Sequence, residues 1–493
     1  MICGNEQLLE PINHAASERV MSFAGADRAA SVAETDRTVS LTCELGQTAG
    51  AVSARTSAVA TTFGLAPKEA ALTIADGATI TIGPGRIILI AGPSGSGKST
   101  VLARIASEFA AAVWVQSIRF PPHDALIDAV APEAQTPEAL ATLTACGLGD
   151  AHTWLRPFDV LSEGEKFRAR LAKAVAAATV RQAAAPLICD EFASLLHRRS
   201  AKAVAYNVGK LIRRRGLCLV AATAHEDILD DLRPDTLVAL DARGRCVVSE
   251  RDTTPSRAIS FKRRLQIVPG CKRDYERFAK MHYRAADELG FVDKVFLLCE
   301  PRDAEPLGIV VYAHPPLELA LRNQATDGRF SKNPHALNKV VRILRRLVVH
   351  PDVRGCGLGH YLVRRTMPLV GTEFVECLSA MGEFNPVFEK AGMRRVGRYE
   401  LSPRQRQSID ALRRLGVDPN GPDFVLDACR RPGVRAIVAA AVRDWYAATT
   451  GGGAKRVEHQ SPERLAHLFR AIVTSRPVYY LWQRGGHRKR GAR

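Results

Sequence analysis

Hydrophobic and polar positions along this chain follow two rhythms, short β-branched runs and longer stretches of helical spacing. Up to about residue 35 neither rhythm holds; Ala, Ser, Glu and Asp dominate, and a mobile segment is expected. A strand is expected over 38–44 and a helix over 50–63. From Leu72 strand-like runs take over: ALTI, ATITI, then RIILIAG. The last ends in a glycine-rich loop that opens into VLARIASEFA, whose apolar positions recur at helical spacing. Around 251–257 the sequence RDTTPSR turns polar around a proline, and a domain boundary is placed there.

Beyond it, RLQIV reads as a strand and 273–284 as a helix, followed by the strands VFLLCE and GIVVYAH. The polar stretch PPLELALRNQATDGRFSKNPHALNK is longer than most connections, which marks it as a functional candidate. Then come the strand ILRRLVVH, a glycine turn, the helix HYLVRRTMPLV, the strand FVECLSA, the helix NPVFEKAG and the strand MRRVGRYE. Residues 401–476 read as helical and VYYLW as a last strand, before a basic tail, GGHRKRGAR, expected to be solvated.

Length and composition narrow the class. At 493 residues two or three domains are expected, and 46% hydrophobic with 24% charged residues is a soluble globular balance. No run of eighteen or more uncharged apolar residues occurs, so no membrane contact is expected. The first residues, MICGNEQLLEPINHAA, lack a basic and an apolar region of secretory type. Eleven cysteines are scattered singly without a C-x-x-C pair, which argues against a disulfide framework or zinc site and for a cytoplasmic location. The net charge of +18 is uneven: residues 1–255 hold 26 Lys+Arg against 28 Asp+Glu, and 256–493 hold 43 against 23. The second half therefore attracts polyanions, whether nucleic acid or a phosphorylated cofactor. Codon usage in an Ala- and Arg-rich chain accounts for the same excess without either.

The glycine loop carries the first chemistry. Gly92-Pro-Ser94-Gly95-Ser-Gly97-Lys98-Ser99-Thr100 contains G-x-x-x-x-G-K-[ST] between a strand and a helix. Its glycines let backbone N–H groups converge on phosphate oxygens, helped by the positive end of the helix. Lys98 then reaches the outer phosphates and the Ser99 hydroxyl ligates Mg²⁺. Downstream, Pro186-Leu-Ile-Cys-Asp190-Glu191 is an apolar strand ending in two carboxylates, Asp190 for the Mg²⁺ shell and Glu191 to polarise the attacking water.

Leu161-Ser162-Glu163-Gly164-Glu165-Lys166 resembles the LSGGQ signature of ATP-binding cassette (ABC) proteins, with Glu for the first glycine of the pair and Glu for the Gln. The resemblance implies that Ser162 and Gly164 meet the γ-phosphate of ATP held by another protomer, hence a homodimer. It also implies that Gln116 is the Q-loop glutamine near Mg²⁺ and that His225 is the switch histidine. Two departures stand out. His197 replaces the usual aspartate of the D-loop, and only about 65 residues separate Lys98 from Ser162, which predicts a reduced helical subdomain.

Val348-Val-His-Pro-Asp-Val-Arg354-Gly-Cys-Gly357-Leu-Gly359 carries R-x-x-G-x-G and resembles motif A of the GNAT acyltransferases, followed by Asn385-Pro-Val-Phe388-Glu-Lys-Ala-Gly392-Met393 at the place of motif B. The resemblance implies that this loop binds the pyrophosphate of acetyl-CoA or another acyl-CoA with Arg354 adding charge, and that Asn385 sits near the pantetheine arm. Phe388 falls close to where many members place a tyrosine acid. A backbone N–H over 347–349 is the expected oxyanion donor. His314 leads the proton-handling candidates, with Glu300, His350, Tyr283, Ser379 and Tyr479 behind it. The two halves together resemble predicted ABC ATPases fused to a C-terminal acetyltransferase.

The expected fold class is α/β, a P-loop ABC-type ATPase domain over 36–255 followed by a GNAT-fold (α+β) acyltransferase domain over 256–493 with a helical insert at 401–476. Three functions stay open: an ATPase coupled to N-acylation of an amine, with nucleic acid as one candidate carrier; a nucleic-acid-associated ATPase whose GNAT-like half only binds; and an ATP-gated protein or small-amine acetyltransferase.

Overall fold

The computed structural model describes residues 36–45, 53–64, 72–181, 185–251, 258–282, 289–301, 303, 305–450, 455, 457–474 and 476–485. The segment expected to be mobile, the candidate Tyr283 and most of the basic tail lie outside these residues. Residues 36–493 form one unit that holds both large sheets.

The 38–44 run becomes two short strands, β1 (Arg37–Ser40) and β2 (Cys43–Leu45), pairing with β4 (Thr79–Ile82) and β3 (Leu72–Ile74) in two-stranded sheets. The main sheet of the first half joins β5 (Ile87–Ala91), β6 (Val113–Trp114), β7 (Leu187–Cys189), β8 (Leu219–Thr223), β9 (Thr236–Leu240) and β10 (Cys246–Glu250) in the order β10-β9-β5-β8-β7-β6. Every pairing is parallel except β9 with β10. Its two middle strands, IILIA and LVAAT, are buried at every position. Burial on both faces requires such unbroken apolar runs, because crossover helices cover a parallel sheet on both sides.

The second half is a seven-stranded sheet of β11 (Gln266–Gly270), β12 (Val292–Cys299), β13 (Gly308–Ala313), β14 (Val341–Val349), β15 (Phe374–Ser379), β16 (Arg394–Arg398) and β17 (Val478–Gln483) in the order β11-β12-β13-β14-β15-β17-β16. Only β14 and β15 run parallel, joined through the helix Leu358–Val370. Their ladder ends at Leu344 opposite Cys377, while β13 follows β14 on to Val349. The two central strands therefore part beyond Leu344, at the level of a bulge between β13 and β14. The stretch 401–476 forms the helices Pro403–Arg414, Phe424–Arg430, Pro432–Thr450 and Pro462–Thr474, packed on a core that includes Leu412, Phe424, Val438 and Phe469.

The long polar stretch before β14 is pinned rather than open. Arg322, on the short helix Ala320–Ala325, forks onto Glu376 of β15 at 2.9 and 3.0 Å and also donates to the carbonyls of Pro316 and Leu317. The pair is 1% and 0% exposed, and the Tyr479 hydroxyl donates to the same carboxylate at 2.8 Å.

One helix, Arg198–Arg214, joins the halves. At its start Arg198 forks onto Asp227, two residues past His225, and Arg199 pairs with Asp303 of the second half at 2.7 Å. Its Ala203 and Tyr206 are packed within the core of the second half. Asn207 Nδ2 donates to the Arg354 carbonyl at 3.1 Å, and buried Asp231 accepts from the Ser260 amide and hydroxyl at 2.7 and 2.8 Å. Gly355 takes φ +84°, and a Cβ there would lie 2.8 Å from Asn207 Nδ2. Gly355→Ala is expected to cost roughly 1–3 kcal/mol through left-handed strain and overpacking, read as a lowered urea midpoint; an unchanged midpoint overturns this close approach.

Candidate functional site

The first site grows from the end of β5. Gly95 and Gly97 take φ +79° and +92°, which curls the loop so that its amides turn inward ahead of the helix Lys98–Ser107. A Cβ on Gly92 would lie 2.5 Å from the Leu240 carbonyl and 2.9 Å from Ser96 Oγ, so only glycine fits there. Lys98 Nζ lies across the loop, donating to the carbonyls of Gly92 and Pro93 at 3.0 and 2.8 Å. Ser94 is exposed at the loop's crest, and Thr100 sits on the first turn of the helix.

The sheet brings the distant residues to this loop. Ser99 Oγ donates to Asp190 Oδ2 at 2.6 Å, and Gln116 Nε2 donates to the Asp190 carbonyl. Glu191 is exposed beside them at φ +48°. His225, also exposed, follows β8 with its amide bonded to Thr223 Oγ1 at 3.1 Å. Sequence reading passed over Ser96, whose hydroxyl is buried without a hydrogen-bond partner inside the loop. An orphaned buried donor beside a glycine-only cradle is what a phosphate oxygen would satisfy. Mg²⁺ also fits, held by the Ser99 hydroxyl and Asp190 with Gln116 nearby, since this ion keeps several waters and needs few carboxylates. Among the described residues no three His, Cys, Asp or Glu groups gather as a richer metal cluster.

Ser162 immediately precedes the helix Glu163–Arg181, and Gly164 lies in its first turn. Glu165, the departure from the signature's glutamine, accepts from the Ser162 amide and hydroxyl, both at 2.9 Å. These contacts, against the cost of partial burial, hold its carboxyl below the usual range. His197 takes the N-cap position of the helix Arg198–Arg214 without a side-chain cap bond.

The second site lies where β14 leaves β15. The His350 amide donates to the Leu307 carbonyl at 2.8 Å, on the β13 side. Backbone groups alternate along a strand, so the amides of Leu347 and Val349 turn toward the opening between β14 and β15. Gly355 and Gly357 take φ +84° and +78° ahead of the helix Leu358–Val370, with Gly359 packed against Val387. Asn385 is exposed, its amide bonded to the Met381 carbonyl. His314 follows the Ala313–Ile343 pair at the end of β13, with Nδ1 3.3 Å from Asn338 Oδ1.

Arg354 departs from its expected role. Its guanidinium points into the first half and its neighbours, donating to the carbonyls of Val349 at 2.9 Å, Gly149 at 2.5 Å and Met281 at 2.7 Å, with Asp150 at 3.5 Å. These bonds engage Nε and both terminal nitrogens. Other candidates are likewise engaged. Glu300 is buried against Arg264 at 2.6 Å, and Tyr479 is committed to Glu376. His350 Nδ1 accepts from the Asp352 amide at 3.3 Å, and burial lowers the pKa of its ring. Ser379 ends β15 opposite Val478, and Phe388 is buried against the Tyr480 ring.

No protein-family model matches the chain, and no curated protein matches it. Among solved structures it is similar to ATP-binding cassettes. One is cbiO1 from Clostridium perfringens, part of the ABC transporter complex cbiONQ, at 17% identity over 36% of this chain and 81% of that one, TM-score 0.29. Another is the dimeric structure of MJ0796, a bacterial ABC transporter cassette, at 18% identity over 36% and 93%, TM-score 0.28. A third is the post-hydrolysis state of MJ0796 bound to ADP and Pi, at 15% identity over 44% and 98%, TM-score 0.31. Likeness at these TM-scores carries no weight of its own; the loop geometry does. Among the described residues no helix is long and apolar enough to cross a membrane.

Proposed function

We propose that this protein is an ABC-type ATP hydrolase, active as a homodimer, coupled to an acyl-CoA-dependent N-acyltransferase. The convergence of Ser99, Asp190 and Gln116 beneath a glycine cradle with an orphaned Ser96 hydroxyl carries the reading. Lys98 exchanges its two loop carbonyls for the outer phosphates of ATP, and the loop amides hold the remaining phosphate oxygens. When bound, Mg²⁺ neutralises charge on the phosphates. Glu191 takes the proton of the attacking water, and His225 and a partner's Ser162 close around the γ-phosphate.

In the second half, the Leu347 and Val349 amides face the opening, where an acyl carbonyl oxygen would develop charge. Transfer then needs placement of the thioester and a route for the amine's proton, for which His314 is the candidate. The charge of residues 256–493 favours an amine carried on nucleic acid.

Two measurements on the full-length protein test this reading. Acetyl-CoA should raise its melting temperature, and an absent shift sinks the acyltransferase. Mass spectrometry of nucleic acid and protein from cells with and without the enzyme should then find an acyl mark. DNA or tRNA binding without salt dependence removes nucleic acid as the carrier.

A further inference from the structure

Basic side chains from four separate segments gather where the loop 354–359 enters the helix Leu358–Val370. His360 folds back over the loop, and a Cβ on Gly357 would lie 2.7 Å from its Cε1. Arg364, one turn on, donates to the Lys390 carbonyl and so brings the helix Val387–Ala391 alongside. Lys262, in the turn Ser260–Arg264 at the start of the second half, sets its ammonium 4.7 Å from the Tyr361 ring centre. Lys210 comes from the first half, one helical turn past Tyr206, with its ammonium 4.9 Å from that ring's centre.

Asn207, one helical turn before Lys210, touches the loop at the Arg354 carbonyl and at Cys356 Sγ, so the helix carries Lys210 to the same place as the other basic groups. Burial first, and then Lys262, Arg364, Lys390 and Lys210, lower the pKa of His360. Burial, then Arg214 and Lys390, lower that of Lys210. Among the described residues none of the five basic side chains is ion-paired with a carboxylate. Elsewhere in the second half cations do find acids, as Arg264 finds Glu300, Arg329 finds Glu373, Arg342 finds Asp293 and Arg398 finds Glu383. Uncompensated like charges repel, and an anion carrying several charges relieves all of them together. Arg354, the charge expected at this loop, is spent on backbone carbonyls.

We infer that this cluster is a phosphate site shared by the two halves, in which Lys210 of the ATPase half and Lys262 join His360, Arg364 and Lys390 to hold the phosphates of acyl-CoA's nucleotide end. The ligand assignment rests on the acyl-CoA reading above. The site makes the ATPase half part of the acyl donor's binding surface, on the same helix that begins beside His225's loop.

Calorimetric titration of the full-length protein with CoA and with acetyl-pantetheine, which lacks the nucleotide and its phosphates, tests the assignment. Lys210→Ala should weaken CoA about tenfold, the lower end of what a hydrogen bond between charged partners contributes. Lys262→Ala should act in the same direction, Lys210→Arg should restore most of the loss, and acetyl-pantetheine should be unaffected. Unchanged CoA affinity in both alanine variants overturns the shared site and leaves the acyl-CoA reading standing. Equal losses for both ligands overturn the phosphate role, because they report damage to the fold. If the unaltered protein binds no CoA, the acyl-CoA reading falls and the ligand assignment falls with it.

Discussion

Glu191→Gln should lower ATP turnover by about 10²- to 10⁴-fold, the usual worth of a positioned general base, and should trap the protein as an ATP-bound dimer. Glu191 follows the Asp190 carboxylate at the end of β7, exposed and at positive φ, where the chain turns out of the sheet. Its amide is tied to Asp190 Oδ1 at 2.9 Å, which links the position of the base to the residue that would hold Mg²⁺. The amide of glutamine keeps the shape and removes the base, so nucleotide binding should survive while hydrolysis stops. Phosphate release gives the rate, and light scattering with and without ATP gives the mass. A monomer with undiminished turnover sinks both the base and the dimer.

Arg322→Ala should destabilise the protein by about 3–5 kcal/mol, the range for removing one partner of a buried ion pair. The lost guanidinium would leave Glu376 charged and 0% exposed, with Tyr479 its remaining side-chain donor. It would also orphan the carbonyls of Pro316 and Leu317, which shape the entry to the stretch before β14. Replacing both partners with apolar side chains, Arg322→Met with Glu376→Leu, should recover much of the loss because no charge is then stranded. Urea unfolding of the unaltered protein, Arg322→Met, Glu376→Leu and the double variant measures the coupling. Additive losses in the double variant would show that the two side chains do not act as a pair.

This pair shows where sequence reading reached its limit. The stretch 315–339 was long and polar enough to suggest function, yet its arginine anchors a core, because nothing in the local pattern reveals that Glu376 waits beneath it. Arg354 misled in the same way: R-x-x-G-x-G specifies a loop, and the first half, distant in sequence, supplies the carbonyl and the carboxylate at Gly149 and Asp150. Lys210 carried no signal at all, since it lies in a different half from the loop it faces.

Local chemistry, by contrast, was legible. Glycines that must take positive φ, a lysine and a serine at fixed offsets, and apolar runs for strands buried on both faces are all set within a few residues, where backbone sterics and periodicity act. The strand runs and the helical stretch at 401–476 could be read from the chain for that reason. Folding decided which charges meet. It set Gln116 and Ser99 against Asp190 by aligning β5, β6 and β7 in one sheet, parted β14 from β15, and set the Arg354 guanidinium against Gly149. A side chain's partner in a buried or crowded site depends on packing between segments from 54 to 205 residues apart, and no periodicity in the chain encodes that.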